Sequence, residues 1–234
     1  MSALVMVCKS DRVELLCDAA LYDPIGGTVG AIHSKLAPLP ELNCVMSGRG
    51  PIPVMWITAY VASLSAKSFD EVVANFEAIR AQAATYNNGD VPAEEWDRAD
   101  IGFIGWSKSR SRPEAYMSLG KGSPDSDVAP GSLSPCDVGV FAGASVAVVS
   151  AFIDSVRENP DAFDAGTDGL AIMELLRREA RPLSDEPGAR VGFSVGGYVE
   201  LATVTRERVC VRAIHEWPDE LGKPIMPEPS MAEA

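Results

Sequence analysis

Segments with strand character and segments with helix character alternate in blocks along this chain, and their order restricts the fold more than any other feature. Strand-like segments come first, at residues 3–8, 12–22, 28–35 and 43–46. A helical segment follows at 52–64, and a second begins at the capping box formed by Ser68 and Glu71. The order is completed by strands at 101–107 and 114–119, helices at 144–158 and 167–178, and closing strands at 191–196, 198–205 and 209–215. Such blocks predict sheets covered by pairs of helices.

The breaks between these segments fall at turn-forming residues. The pair Gly26-Gly27 predicts a hairpin turn between the second and third strands. Pro38 and Pro40 are expected to interrupt strand pairing before the fourth strand. A Gly-, Ser- and Pro-rich loop is predicted at 120–135, and the proline-rich segment that ends the chain is expected to be extended or disordered.

Composition narrows the classes of function. A hydrophobic fraction of 47% in 234 residues can fill the core of one large domain or two small ones. The formal charge of −13 argues against nucleic-acid binding, which needs clustered Lys and Arg. The apolar stretch 52–64 is too short to span a bilayer, and Lys9 and Asp11 cut the first apolar run short of a secretion signal. We therefore expect a cytoplasmic protein that binds neither nucleic acid nor membrane.

The five cysteines indicate reduced thiols rather than disulfides. Their number is odd, no CxxC pair occurs, and four of them lie in apolar strand-like runs, where we expect them to be buried. His33 and His215 are the only histidines, so no set of zinc ligands is apparent. We expect neither a metal nor a cofactor.

A few small and charged residues in the first fifty positions have a distinctive spacing. Ser2 follows Met1, and Asp18 lies sixteen positions beyond Ser2 in an apolar strand. Gly48, thirty positions after Asp18, follows Ser47 at the end of the fourth strand. With the later hairpin and the segment Ser194-Val195-Gly196-Gly197, this order over residues 2–215 resembles the β subunits of proteasomes and bacterial proteasome-related proteins. These are members of the N-terminal-nucleophile (Ntn) hydrolase superfamily.

The resemblance implies a fold and a domain organisation. The expected fold is α/β (α+β), a four-layer αββα sandwich in which two antiparallel sheets lie between layers of helices. It would occupy residues 1–216 and leave 217–234 as a Pro-rich acidic tail.

The resemblance also implies cleavage of a peptide or amide bond by Ser2, after removal of Met1. The implied catalytic residues are Ser2, Asp18, Lys35 and Gly48. A free α-amino group has a pKa of about 7.7–8.0, so it can act as the base for its own hydroxyl. Lys35 and Asp18 would hold that hydroxyl, and the Gly48 amide would stabilise the oxyanion by roughly 2.7–4 kcal/mol.

The position of the lysine leaves two alternatives. Family spacing from Asp18 falls on Ser34, whereas the nearby lysine is Lys35. A shift of one residue turns a strand side chain to the opposite face. A longer hairpin at 24–30, offset by a shorter link through the prolines that follow, would bring Lys35 into place; otherwise Lys35 faces away.

Further residues are implied around this centre. The specificity pocket is expected near Ala20, Tyr22, Ser47 and Arg49, with Ser194 and Gly196 in support. The run from Gly192 to Gly196 also fits the G-x-S-x-G nucleophile elbow, but a strand pattern follows it where the elbow needs a helix.

A second class of function fits the same resemblance. Proteasome α subunits keep the fold without a nucleophile and act as structural components of rings. This chain could likewise be a catalytically inactive subunit of a homo-oligomer. Self-association, as a ring or a dimer, is expected in both cases, with the helices of residues 52–86 as candidate contacts.

Overall fold

The computed structural model describes residues 3–23, 25–87, 89, 91–121, 131–141, 146–183 and 190–228. The strands are β1 (Leu4–Cys8), β2 (Arg12–Asp18), β3 (Ala20–Tyr22), β4 (Val29–Ile32), β5 (Leu36–Leu39), β6 (Cys44–Arg49), β7 (Asp100–Ser107), β8 (Arg112–Ser118), β9 (Leu133–Pro135), β10 (Val138–Phe141), β11 (Arg181–Pro182), β12 (Val191–Gly192), β13 (Tyr198–Thr205) and β14 (Val209–Glu216). The helices are α1 (Ile52–Ser65), α2 (Phe69–Thr85), α3 (Ala93–Arg98), α4 (Val146–Glu158) and α5 (Leu170–Arg177). A π-helical turn, Ala165–Gly169, leads into α5.

The strands form two large antiparallel sheets and two small ones. One five-stranded sheet has the order β10-β1-β2-β13-β14, and the other has the order β5-β6-β7-β8-β9. The hairpins β3-β4 and β11-β12 form separate two-stranded sheets. The chain is thus a mixed α/β protein whose sheets are antiparallel and whose helices come in blocks.

Alternation along β1 shows how the core is divided. Leu4 and Met6 belong to a buried cluster that draws residues from both five-stranded sheets, including Val45 and Ile104 of the second sheet. The intervening Val5 and Val7 belong to another cluster, with residues of α4 and α5. Because successive side chains of a strand point to opposite faces, this fully apolar strand is buried on both sides, as its sequence predicts.

The second sheet packs against α1 and α2 in a cluster of its own. Its centre is aromatic: Phe76 stacks on Phe103 with ring centroids 5.2 Å apart, and Phe103 stacks on Tyr116 at 5.7 Å. Ser68 caps α2 as predicted, since its Oγ accepts the Glu71 N–H at 3.3 Å, but the Glu71 carboxylate accepts the Lys67 N–H at 2.9 Å rather than the Ser68 N–H that a complete capping box uses.

Several predicted boundaries were wrong. The strand predicted over 12–22 divides at Ala19, whose N–H turns aside to donate to Gly196 O. Pro38 lies within β5 and pairs with Val45, because β5 is an edge strand where a missing N–H donor is tolerated. The closing strand predicted at 191–196 is only two residues long. The sequence analysis missed α3 and β10 altogether.

The described parts of the predicted loop and tail belong to the fold, while residues 229–234 of the tail lie outside the described part of the chain. Within 120–135, β9 pairs with β8, while residues 122–130 lie outside the described part of the chain. In the C-terminal segment, Gly222 and Lys223 exchange backbone hydrogen bonds with Val29, and Ile225 is buried. None of the helices in the described ranges is long and apolar enough to cross a bilayer.

The cysteines only partly follow the expectation of buried thiols. All five are outside disulfides. Cys17 and Cys44 are buried, but Cys210 is exposed because it lies on β14, the edge strand of its sheet.

Candidate functional site

The sequence analysis singled out Asp18 and Lys35, and these two residues form a deeply buried ion pair. The Lys35 Nζ lies 2.9 Å from the Asp18 Oδ2, and each residue is only 1% exposed. Asp18 ends β2, and Lys35 stands just before β5. Two segments seventeen residues apart therefore place opposite charges together inside the protein.

A one-residue bulge in the β3-β4 hairpin accounts for this placement. Leu21 pairs with Ala31 and Tyr22 pairs with Val29, so Gly30 is an extra residue on the returning strand. The bulge lengthens the path from Asp18 to the lysine by one residue. Of the two alternatives left by the sequence, the structure shows Lys35 directed to Asp18, while the Ser34 Oγ accepts the Leu36 N–H at 3.1 Å.

The other oxygen of Asp18 binds the backbone at Ala3. The Asp18 Oδ1 accepts the Ala3 N–H at 2.9 Å, and Leu4 pairs with Cys17 across the β1-β2 ladder. Ser2, the predicted nucleophile, is joined covalently to this Ala3 nitrogen but lies outside the described residues, as does Met1. One carboxylate thus contacts both Lys35 and the residue that follows Ser2.

The groups behind the pair are also fixed. The Ser47 Oγ donates to Lys35 O at 2.9 Å and is fully buried. Cys17 donates its thiol to Asp18 O at 3.2 Å. Burial raises the pKa of Cys17 to about 12, and the charge of Asp18 adds to this rise. The thiol next to the carboxylate is therefore protonated at neutral pH and is not a nucleophile there.

Gly48 stands at a place where a larger residue would not fit. A Cβ at this position would lie 2.8 Å from Asp100 O and 3.2 Å from the Met55 Cβ. Close packing of β6 against β7 and α1 therefore explains the glycine without any catalytic role. Its predicted role as an oxyanion donor remains a prediction.

The segment before β13 closes the site from another side. Gly196 N lies 3.4 Å from the Asp18 Oδ2, and Gly196 O accepts the N–H groups of Ala19 and Ala20. Ser194 is buried, and its Oγ has no hydrogen-bond partner in the part of the chain that the structure describes. A strand follows this segment, so the helix that a nucleophile elbow needs is not there.

Sequence reasoning missed the ion pair that anchors this segment. The Arg177 guanidinium binds the Asp219 carboxylate at 2.7 and 2.8 Å and donates to Val195 O at 2.9 Å. Asp219 also accepts the N–H of Gly197, which has a φ of 78°. Asp219 belongs to the segment that the sequence analysis set apart as a tail, and no sequence pattern links it to a helix forty residues earlier.

The residues predicted to bind substrate occupy different environments. Ala20 is buried, and the Tyr22 hydroxyl donates to Leu183 O at 3.4 Å. The Arg49 Nη2 lies 3.1 Å from the Asp100 Oδ2. Substrate contact by these residues remains a prediction.

A buried arginine that the sequence did not single out lies in the same region. Arg181 is 5% exposed, and its Nη2 donates to Leu176 O at 2.9 Å. Burial lowers the pKa of this guanidinium; the Glu179 charge opposes the shift, the Arg49 charge adds to it, and the Asp18 charge opposes it. Arg181 therefore interacts electrostatically with groups of the candidate site.

Comparisons with known proteins do not assign the chain to a family. No protein-family profile matches the sequence, and no curated protein matches it. Over the described ranges, no three His, Cys, Asp or Glu side chains are grouped so that they could hold a metal ion.

Proposed function

We propose that this chain is a proteasome-like Ntn hydrolase that cleaves a peptide or amide bond through Ser2. The observation that supports it most directly is the Asp18 carboxylate, which contacts Lys35 on one oxygen and the Ala3 N–H on the other. This arrangement sets a buried cation and a buried anion beside Ala3, the residue that follows the proposed nucleophile in the sequence. The proposal requires Ser2 to be the first residue of the mature protein.

We propose that the fold is the four-layer αββα sandwich of that superfamily. One buried cluster combines residues of both five-stranded sheets, and separate clusters join each sheet to its own helices. That division is what two sheets stacked between helix layers would produce. The burial of β1 on both of its faces supports the same arrangement.

The proposed reaction needs only the groups of this chain and water. The α-amino group of Ser2 takes the hydroxyl proton while the Oγ bonds to the substrate carbonyl carbon. The oxyanion is stabilised by the Gly48 N–H. The C–N bond then breaks, the leaving amine takes the proton, and an ester of Ser2 remains. Water, which loses a proton to the same amino group, hydrolyses the ester to a carboxylic acid and frees Ser2.

Burial of the Asp18–Lys35 pair favours a functional explanation. A fully desolvated ion pair contributes little net stability, because the cost of removing both charges from water offsets their attraction. Charges kept at such a cost occur often at functional sites. The pair also gives the proposed hydroxyl a nearby cation that lowers its proton affinity.

Intact mass and activity test the proposal together. We expect the purified protein to lack Met1 and to form a one-to-one adduct with an acylating β-lactone on Ser2. Hydrolysis of a fluorogenic peptide-amide panel should be lost in Ser2→Ala and retained in Ser150→Ala, which changes an exposed serine of α4. A protein that retains Met1 and cleaves none of the peptides would contradict the enzyme and favour an inactive scaffold. A Ser2→Ala variant with full activity would contradict Ser2 as the nucleophile.

Self-association is part of the proposal. Trp56, Tyr60 and Leu64 recur every four residues along α1 and are 39%, 54% and 62% exposed. Residues at this spacing share one face of a helix, so α1 carries an apolar stripe in addition to its buried side. We infer that this stripe meets a second copy of the chain.

A further inference from the structure

Arg181 carries donors that the described protein does not satisfy. Its Nε and Nη1 have no hydrogen-bond acceptor in the described ranges, although the side chain is almost completely buried. A buried donor without an acceptor destabilises the folded protein, and more so when it is charged. Such a group is costly to keep unless something outside the described protein binds it.

Arg49 has a similar unsatisfied donor. Its Nη2 binds the Asp100 carboxylate, but its Nε is buried without an acceptor among the described residues. The position of Arg49 at the end of β6, directly after Gly48, puts it next to the predicted oxyanion donor. A ligand group bound by Arg49 would therefore lie close to the reacting carbonyl.

The fold brings the two arginines toward one region. Arg181 pairs with Gly192 across the β11-β12 hairpin, and the chain continues from there to Gly196 at the Asp18 carboxylate. Leu183, two residues beyond Arg181, accepts the Tyr22 hydroxyl of β3. The charges of Arg49 and Asp18 both act on the Arg181 guanidinium, which agrees with this placement.

The partners of the charged groups in this region show which hydrogen-bond acceptor is missing. Lys35 is matched by Asp18, and Arg49 is matched by Asp100. Arg181 is attracted by Glu179, yet no carboxylate accepts from its Nε or Nη1 in the described part of the chain. What these two donors lack among the described residues is a hydrogen-bond acceptor, which the carboxylate of a ligand would supply.

We propose that Arg181 and Arg49 form a carboxylate-binding subsite beside the Asp18–Lys35 pair, so that the substrate is an amide carrying a carboxylate near the scissile bond. This inference rests on the proposed hydrolase function. Guanidinium groups bind carboxylates through short charge-assisted hydrogen bonds, and the buried setting strengthens them. The substrate class is therefore acidic peptides or acyl-amino acids rather than apolar peptides.

Matched substrates test the subsite. In peptide amides that differ only by Glu or Gln at one position at a time, we expect one position where Glu raises kcat/KM roughly 10- to 100-fold, as a buried charge-assisted hydrogen bond would. Arg181→Gln should reduce that preference to within about twofold, because it lowers kcat/KM for the Glu peptide far more than for the Gln peptide. Arg157→Gln, an exposed arginine of α4, is the matched control and should keep the preference. Equal cleavage of both peptides by the unaltered protein would overturn the proposal without any variant.

A binding measurement separates this proposal from the hydrolase itself. If no peptide is cleaved and no adduct forms on Ser2, the hydrolase proposal fails, but calorimetry with N-acetylglutamate and N-acetylglutamine still tests the subsite. Tighter binding of the acid, lost in Arg181→Gln, supports it. Equal binding of the two, or tighter binding of inorganic phosphate, overturns it. Binding seen only after Asp185→Asn and Glu186→Gln would identify a carboxylate of the chain itself as the occupant and would also overturn it.

Discussion

The Asp18 carboxylate is the ion-pair partner of Lys35, a lysine that is only 1% exposed. We expect Asp18→Asn to lower the free energy of unfolding by about 3–5 kcal/mol, since Lys35 would be left buried without its partner. The double variant Asp18→Asn with Lys35→Met should recover most of that loss. Urea denaturation measures both changes.

An exposed ion pair provides the control for this experiment. Lys121 and Asp97 are 2.6 Å apart, but both side chains are largely exposed. Asp97→Asn should change the free energy of unfolding by no more than about 1 kcal/mol. A double variant at 18 and 35 that is as unstable as the sum of its singles would show that the pair does not interact as its geometry indicates.

The same pair shows how far the sequence could predict the site. The presence of Asp18 in an apolar strand was a strong signal, because a buried carboxylate needs a partner. The sequence could not decide which residue is the partner, because Ser34 and Lys35 are neighbours. The bulge at Gly30 determines which of the two reaches Asp18. Arg181 gave no signal, because only the folded chain shows that its donors lack acceptors.

The contact between α2 and the sheet beneath it depends on a glycine. A Cβ at Gly105 would overlap the ring of Phe69, the first residue of α2, and that ring is enclosed by Phe103 and Tyr116. We expect Gly105→Ala to destabilise the protein by roughly 1–3 kcal/mol or more, because the enclosed ring has nowhere to move. Thermal unfolding followed by circular dichroism measures the change.

Gly30→Ala is the matched substitution for this test. The nearest atom to a Cβ at Gly30 is Leu21 O at 3.7 Å, an ordinary contact, and Gly30 is exposed. This variant should unfold within a few degrees of the unaltered protein. If Gly105→Ala were equally harmless, the placement of α2 on the sheet would be in error.

The Glu114 carboxylate stabilises the turn of the β7-β8 hairpin. Burial alone would raise the pKa of Glu114, but hydrogen bonds from Arg110, Arg112 and Tyr116 outweigh burial and lower it. Because the folded pKa lies below the ordinary value of 4.5, ionised Glu114 stabilises the fold above that pH. This contribution is lost as the pH falls below 4.5 and through the folded pKa.

Glu114→Gln should therefore destabilise the protein at pH 7 and approach the unaltered protein as the pH falls below 4.5 and through the folded pKa. Urea denaturation at a series of pH values gives the difference in unfolding free energy between the two. Glu207→Gln, which alters an exposed carboxylate in the β13-β14 turn, should show no such pH-dependent difference. A constant difference for Glu114→Gln across the whole series would mean that ionisation is not its contribution.

Elements with strong periodicity could be predicted from sequence, and short ones could not. The apolar run of β1 and the Ser68 cap of α2 each carry a local signal that the structure confirms. In contrast, β5 contains a proline that is tolerated only because the strand lies at a sheet edge. The short β10 is defined by its pairing with β1, which a sequence does not display.

The exposed face of α1 bears on whether the molecule assembles into an oligomer. Tyr60 packs edge-to-face on Tyr86 with ring centroids 6.3 Å apart, so the apolar stripe extends to the end of α2. An apolar surface of this kind favours association, because covering it removes the stripe from water. Two acidic substitutions in its middle should prevent the contact by leaving charges without partners.

We therefore expect Tyr60→Glu with Leu64→Glu to shift the protein from an oligomer to a monomer in light scattering coupled to size-exclusion chromatography. Leu221→Glu is the control, because Leu221 is a similarly exposed leucine, at 64%, that is not part of α1. It should leave the oligomer intact. Because chain charge is already −13, the comparison needs physiological salt, where general repulsion between copies is screened. A protein that is monomeric before any substitution would refute the inference that α1 meets a second copy, while leaving the chemistry at Asp18 and Lys35 open to its own tests.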